Sequence, residues 1–155
     1  MSFRITGLPA EEFAPLFALS DAELAARGAV RRIAEGEMVG RPCRVSLTDS
    51  RPGDELILCN YEHQPVDSPY RMRFAIYVRK GETQFDAIDE VPVQLRTRTL
   101  AVRAFDDDAM MIGSELVEGD ALEPAIERRL ADPRARYLHI HFAAPGCYAA
   151  RVDRA

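Results

Sequence analysis

The residues best suited to chemistry lie close together near the C-terminus, between residues 137 and 153. His139 and His141 are separated by a single residue, and Cys147 follows shortly after them. Residues two apart on a β-strand point to the same face, with their Cα atoms about 6.6 Å apart. A thiol beside two imidazoles predicts nucleophilic chemistry, because a nearby imidazolium favours the thiolate. His139, His141 and Cys147 are therefore the candidate catalytic residues, although a small hairpin cysteine without reactivity fits the same pattern.

Alternating apolar and polar residues predict that two strands carry these side chains. An apolar residue stands at every second position of residues 137–142, which is typical of a half-buried strand. Pro145 and Gly146 are turn residues, and a second alternating run covers residues 148–153. The two runs together predict a β-hairpin.

The length of the turn decides which residues of the second strand share a face with the histidines, because a shift by one residue exchanges the two faces. A loop with an even number of residues would place the charges of the second strand on the apolar face, where unpaired charge is costly. We therefore predict a three-residue loop, residues 144–146. This register predicts Arg151 opposite His139, Ala149 opposite His141, and Cys147 on the histidine face.

Recognition of an anion is the second chemistry that this region predicts. Guanidinium and imidazole groups donate strong hydrogen bonds to carboxylates and phosphates. The candidate ligand-binding residues are Arg44, His63, Tyr70, Arg71 and Arg151. Among these, Arg151 is expected to dominate the affinity. Its alternative role is a surface ion pair with Asp153, which would contribute little to stability.

Metal binding is a further interpretation of the same histidines. His139 and His141 have the spacing to chelate an ion, with His63 or Cys147 as the third ligand. A guanidinium opposite His139 would repel a divalent cation, and the sequence has no closely spaced pair of cysteines. We therefore expect no metal and no cofactor.

Size and composition indicate one globular domain over residues 1–155. A chain of 155 residues, 47% hydrophobic and 29% charged, is large enough to bury a core. The net charge of −5, without a basic block, argues against nucleic acid as a partner. There is no apolar run of membrane-spanning length and no recognisable signal peptide, and three widely spaced cysteines suggest a reducing compartment. These features predict a cytoplasmic protein that binds no membrane, and they leave the oligomeric state open.

The order of the predicted elements indicates an α+β fold with a mainly antiparallel sheet of about six strands. The predicted strands of this sheet are residues 56–62, 72–78, 100–105, 110–117, 137–142 and 148–153. A short opening strand and two short helices precede them, and Ser20 with Glu23 has capping-box spacing in the second helix. Asp120 is the predicted cap of one further helix before the C-terminal hairpin, and residues 81–90 are predicted to form a loop.

Motifs spread over most of the chain carry a resemblance to a known family. They are Pro42-Cys43-Arg44, Asn60-Tyr61-Glu62-His63-Gln64-Pro65, Ser68-Pro69-Tyr70-Arg71, His139-Ile140-His141, and the segment from Gly146-Cys147 to Arg154. The chain resembles the bacterial family numbered 1203 among the domains of unknown function. The resemblance implies a bacterial soluble protein and transfers no mechanism.

Two classes of protein remain open from the sequence. One is a small-molecule binder or enzyme that uses the His/Arg/Cys face on an anionic ligand. The other is a structural or interaction domain without chemistry. A concave pocket that joins the three histidines to Tyr70 and Arg151 would favour the first class, and a flat or scattered arrangement would favour the second.

Overall fold

Nine strands form two antiparallel sheets in the computed structural model, which describes residues 1–155. The strands are β1 (Phe3–Thr6), β2 (Val30–Ile33), β3 (Glu55–Gln64), β4 (Met72–Arg79), β5 (Asp86–Ile88), β6 (Thr99–Phe105), β7 (Met111–Glu118), β8 (Tyr137–Phe142) and β9 (Tyr148–Arg154). The helices are α1 (Ala10–Phe13), α2 (Asp21–Ala26), α3 (Val93–Arg96) and α4 (Leu122–Leu130). Three 3₁₀ turns add Ala14–Ala18, Gly36–Met38 and Gly119–Ala121. The predicted α+β class is confirmed.

The larger sheet contains six strands in the order β5-β1-β9-β8-β6-β7, and the smaller sheet contains β2-β3-β4. Every pair of neighbouring strands is antiparallel. All six predicted strand segments are strands, but the structure divides them between the two sheets. The β8–β9 hairpin lies in the middle of the larger sheet, between β1 and β6.

Three local predictions differ from the structure. Strand β2 was not predicted, and β5 lies within the predicted loop 81–90, where its three residues pair with β1. Such short strands carry too little alternation to be recognised, and their pairing is set by distant residues. Helix α4 begins after a 3₁₀ turn, with Ala121 rather than Asp120 at its N-cap position and no side-chain cap. The capping box of Ser20 and Glu23 is confirmed at the start of α2.

The main hydrophobic core lies on one face of the larger sheet, beneath α3 and α4. Leu138 and Ile140 of β8 contribute to it, together with Leu122 and Ile126 of α4. Complete burial of one such aliphatic side chain contributes roughly 1.5–3 kcal/mol. Burial of this apolar face therefore accounts for the alternation that the sequence displays along β8.

The smaller sheet covers the opposite side of the hairpin. Ile57 and Ile76 of this sheet pack with residues of the N-terminal segment and with Tyr148 of β9. As a result, β8 is buried along its whole length apart from Tyr137, which is half-buried. The prediction of a half-buried strand is wrong for β8, because a second sheet covers the polar face.

Candidate functional site

Arg151 has the predicted pairing partner, but the turn of the β8–β9 hairpin is longer than the predicted three-residue loop. The turn holds four residues, 143–146, since the Phe142 amide donates to the Cys147 carbonyl at 2.9 Å. Along β9, Ala150 pairs with Ile140, whereas the next pair is Tyr148 with His141. The unpaired residue between them is a β-bulge, which shifts the alignment by one position. Arg151 therefore lies opposite His139 as predicted.

Ahead of the bulge, the two faces of β9 are exchanged relative to the prediction. Tyr148 rather than Ala149 lies opposite His141, and its ring contacts the imidazoles. Cys147 packs in the main core with Phe142, on the other face of the hairpin. The predictions that Ala149 opposes His141 and that Cys147 shares the histidine face are both wrong. A four-residue loop followed by a bulge keeps the charge of Arg151 off the apolar face. The same bulge leaves Cys147 on the face opposite to the histidines.

All three histidines of the chain meet between the two sheets. Their ring centroids lie 5.2 Å apart for His63 and His141, 6.0 Å for His63 and His139, and 6.3 Å for His139 and His141. The His63 ring stacks on Tyr148 at 5.0 Å. An irregularity in the pairing of β3 near its end turns both His63 and Gln64 inward. We call His63, His139 and His141 the histidine cluster.

Burial keeps the histidine cluster neutral. It lowers the pKa of His63 to about 4 and that of His141 to about 3, and it depresses the pKa of His139 well below the usual value. The nearby positive charge of Arg103 acts in the same direction on each ring. His141 Nδ1 lies 3.0 Å from the Gly146 carbonyl oxygen, so this nitrogen carries the hydrogen. Neutral imidazoles on the opposite face cannot supply the imidazolium of a Cys–His pair to Cys147.

Each of the other predicted ligand-binding residues, Tyr70, Arg71 and Arg151, contacts a partner of its own. Tyr70 packs edge-on against Phe105 at 6.0 Å, and Arg71 forms an ion pair with Glu62 at 2.9 Å. Arg151 donates two hydrogen bonds to Asp153, at 2.8 and 2.7 Å, and its guanidinium lies 4.2 Å from the centroid of the Tyr137 ring. The alternative role of Arg151, an ion pair with Asp153, is thus confirmed.

The structure contains no group of three or more His, Cys, Asp or Glu side chains that could hold a metal ion. The histidine cluster contains three residues of a type that can bind a metal ion. Its rings pack on one another and on Tyr148 through their edges and faces.

A cavity of about 650 Å³ opens at the turn end of the β8–β9 hairpin, and we call it the arginine cavity. Three arginines from two separate segments line it, Arg41, Arg44 and Arg98, together with Cys147. The apolar part of its wall includes Val39, Leu58, Phe74, Tyr77 and Phe142. Of the predicted site residues, only Arg44 and Cys147 lie here.

Arg44 is the best-buried charged residue of the chain, with 1% of its surface exposed. Its Nε donates to the Tyr148 carbonyl at 2.8 Å, Nη1 donates to the Pro42 carbonyl, and Nη2 donates to Cys147 Sγ at 3.0 Å. The guanidinium lies 5.0 Å from the centroid of the Phe142 ring. It forms no ion pair with any carboxylate. Burial lowers the pKa of Arg44, but a guanidinium keeps its proton in proteins.

Arg98 and Arg41 border the same cavity with less burial. Arg98 forms an ion pair with Asp49 at 3.0 Å, and its guanidinium lies 5.3 Å from the centroid of the Phe142 ring. Arg41 lies over the Tyr77 ring at 6.0 Å, and its buried Nε has no hydrogen-bond partner. Sequence reasoning missed both residues. Arg41 adjoins the Pro42-Cys43-Arg44 motif, which was the available signal, whereas nothing local marks Arg98.

Backbone contacts hold Arg44 at the wall of the cavity. Its amide donates to the Tyr77 carbonyl at 3.0 Å, and its carbonyl accepts from the Leu8 amide at 2.8 Å. Gly7 allows this close approach, because a Cβ there would lie 2.1 Å from the Val45 carbonyl oxygen. The N-terminal segment and β4 therefore fix the position of the buried guanidinium.

The molecule is thus an α+β protein in which two antiparallel sheets enclose a neutral histidine cluster beside a cationic cavity. It belongs to the family described as protein of unknown function (DUF1203), whose match covers residues 40–154. The matched region includes the three arginines of the arginine cavity and the whole histidine cluster. No curated protein and no solved structure matches the chain. None of its helices has the length and apolar composition needed to cross a membrane.

Proposed function

We propose that this protein binds a small anionic molecule in the arginine cavity. The observation that carries the proposal is Arg44, a buried guanidinium without a carboxylate partner that borders an open cavity. Burial of a charge is costly unless it is paired and hydrogen-bonded. A bound anion would provide the missing opposite charge.

Hydrogen-bond donors are also available for such a ligand. The guanidinium of Arg44 has five N–H groups, and its three hydrogen bonds come from three different nitrogens. One N–H on each terminal nitrogen is therefore left, which suits bidentate recognition of a carboxylate or phosphate. Arg41 adds charge that no ion pair neutralises, and the lining acid, Glu37, is exposed at the surface.

The apolar wall of the cavity favours a ligand with a nonpolar body as well as an acidic group. Phe74 and Val39 border the cavity and are among the exposed large hydrophobic residues of the chain, at 42% and 39%. Small-molecule sites usually combine such apolar surface with a few polar groups that fix orientation. The volume of about 650 Å³ lies within the range of small-molecule sites.

Thermal shift measurements with matched acids and amides test the proposal. Benzoate and acetate should raise the melting temperature, and benzamide and acetamide at the same concentration should not, because only the acids carry the charge. Phosphate at equal ionic strength compares the two anion classes. If no anion in the panel shifts the melting curve, the proposal is wrong.

Two arginine variants locate the binding site. Arg41→Gln and Arg98→Gln should each weaken the binding of benzoate about ten-fold, the loss expected for one charge-assisted hydrogen bond. Arg151→Gln is the matched control, since Arg151 pairs with Asp153 and does not line the cavity. Equal weakening in all three variants would mean that general surface charge, and not the arginine cavity, attracts the anion.

A structural role for Arg44 is the second candidate function. Its hydrogen bonds to the carbonyls of Pro42 and Tyr148 connect the cavity segment to the hairpin. Under this alternative, loss of Arg44 lowers stability and anions have no effect on the wild-type protein. The thermal shift panel on the wild-type protein therefore separates the two functions.

A further inference from the structure

Cys147 differs from the other two cysteines in its surroundings. Cys43 is fully buried and its thiol donates to the Arg41 carbonyl, and Cys59 packs in the apolar cluster of the smaller sheet. Burial raises the pKa of Cys43 to about 12 and that of Cys59 to about 11, so both remain thiols at neutral pH. Cys147 borders the arginine cavity and its sulfur accepts a hydrogen bond from a guanidinium.

The geometry around Cys147 combines a nucleophile with an anion site. Arg44, with 1% of its surface exposed and no ion pair, donates to Cys147 Sγ at 3.0 Å and lines the cavity, and one N–H on each of its terminal nitrogens forms no hydrogen bond. Two backbone carbonyls fix the orientation of the guanidinium. An acid bound to Arg44 would therefore lie within a short distance of the sulfur, as intramolecular reactions require.

We propose that Cys147 is a nucleophile toward small carboxylates that carry an electrophilic carbon one or two positions from the acid group, with Arg44 holding the carboxylate. This inference rests on the proposed anion site. The Arg44 guanidinium lies 3.0 Å from the reacting sulfur and needs no histidine beside it to hold the carboxylate. The histidine cluster, on the other face of the hairpin, takes no part.

The substrate class is the α,β-unsaturated carboxylates with a short apolar body. The thiol first loses its proton to water, and the Cys147 Sγ–carbon bond then forms at the β-carbon. The electron pair of the double bond moves to the α-carbon, which takes a proton from water. The net change is addition of S–H across the double bond, so neither an oxidant nor a reductant is required.

Alkylation with two pairs of reagents tests this inference on the full-length wild-type protein. Iodoacetate and iodoacetamide differ in charge but form the same kind of S–C bond with loss of iodide, and acrylate and acrylamide form the addition product. Free thiols react more slowly with the charged member of each pair. At Cys147, the ratio of the acid rate to the amide rate should be about ten-fold higher than for a free thiol. One charge-assisted hydrogen bond supplies a factor of this size. Peptide mass mapping measures the extent of alkylation at each cysteine, with Cys43 and Cys59 as internal references.

Two further measurements connect the rate to the cavity. The iodoacetate rate at Cys147 should level off at high reagent concentration and should fall when benzoate is present, whereas the iodoacetamide rate should stay linear in concentration. Arg98→Gln should reduce the preference for iodoacetate over iodoacetamide at Cys147. Arg151→Gln, outside the cavity, should change neither rate.

The outcomes separate this inference from the proposed function. If anions raise the melting temperature but Cys147 reacts no faster with the acids than Cys59 does, the inference is wrong and the anion site stands. If no anion raises the melting temperature and the acids show no preference, both are wrong. The comparison of reagents on the wild-type protein does not depend on whether a Cys147→Ser variant folds.

Discussion

His63 stacks on Tyr148, with 5.0 Å between the ring centroids and 15° between the ring planes, and thereby joins the smaller sheet to the larger one. The groups around this contact are aromatic rings, imidazoles and the cation of Arg103. No carboxylate is among the groups that influence the pKa of His63 or His139. A proton added to the histidine cluster would therefore lack a compensating charge.

Mild acid should destabilise the protein through the histidine cluster. The pKa is about 4 for His63 and about 3 for His141 in the folded protein, against about 6.5 for unfolded histidine. Between pH 6.5 and the folded-state pKa values, the unfolded chain binds more protons than the folded protein. The contribution of the neutral histidines to stability is therefore fully present above pH 6.5 and is lost as the pH falls toward 4 and 3. The free energy of unfolding should fall by up to about 1.4 kcal/mol per pH unit for each histidine. Urea unfolding at pH 7.5 and pH 5 measures this change.

His63→Phe supplies the control for this prediction. The phenyl ring keeps the stacking on Tyr148 and removes one titrating group, together with the buried Nδ1 that has no partner. The loss of stability between pH 7.5 and pH 5 should be smaller in the variant by the contribution of one histidine. An unchanged difference would assign the acid sensitivity to other residues.

Arg44→Ala should lower the free energy of unfolding by roughly 2–6 kcal/mol, because two carbonyls lose their donor at about 1–3 kcal/mol each. Those carbonyls belong to Tyr148 and Pro42. Chemical unfolding of the ligand-free protein measures the loss. Arg136→Ala is the matched control, since Arg136 pairs with Asp107 at the surface and should change stability far less than Arg44→Ala does. A similar small effect in both variants would contradict the anchoring role of Arg44.

Gly7→Ala should be more destabilising than Gly113→Ala. A Cβ on Gly7 would lie 2.1 Å from the Val45 carbonyl oxygen, and only a backbone shift relieves such a contact. A Cβ on Gly113 would meet the end of the Arg129 side chain at 2.5 Å, which can move aside. Melting temperatures of the two variants provide the comparison. Because Gly7 lies against the segment of Arg44, its variant should also bind benzoate more weakly, and an equal affinity in both variants would argue against this coupling.

The purified protein should contain no stoichiometric zinc. Arg151 lies opposite His139 in the hairpin, and no three ligating side chains have the geometry of a metal site. Elemental analysis measures the zinc content directly. About one zinc per chain, lost in a His139→Ala and His141→Ala double variant, would show that the histidine cluster rearranges to bind metal.

Local sequence patterns predicted most of the strands and the side of the hairpin on which Arg151 lies. The alternation of Leu138 and Ile140 with the histidines depends on neighbouring residues alone, because successive side chains of a strand point to opposite faces. The pairing of Arg151 with His139 followed from the cost of buried charge. Strands β2 and β5 were not predicted because they are short and carry too little alternation.

The sequence by itself determined the α+β class, the C-terminal hairpin and the capped helix α2, since each of these is governed by short-range periodicity or capping. Only the tertiary structure decided where a ligand could bind. The bulge at Ala149 separated Cys147 from the histidines, and the smaller sheet buried the histidine face. The arginine cavity depends on Arg44 and Arg98, which lie far apart in the sequence. No local pattern encodes their meeting, because it is set by the packing of two sheets and the loops between them.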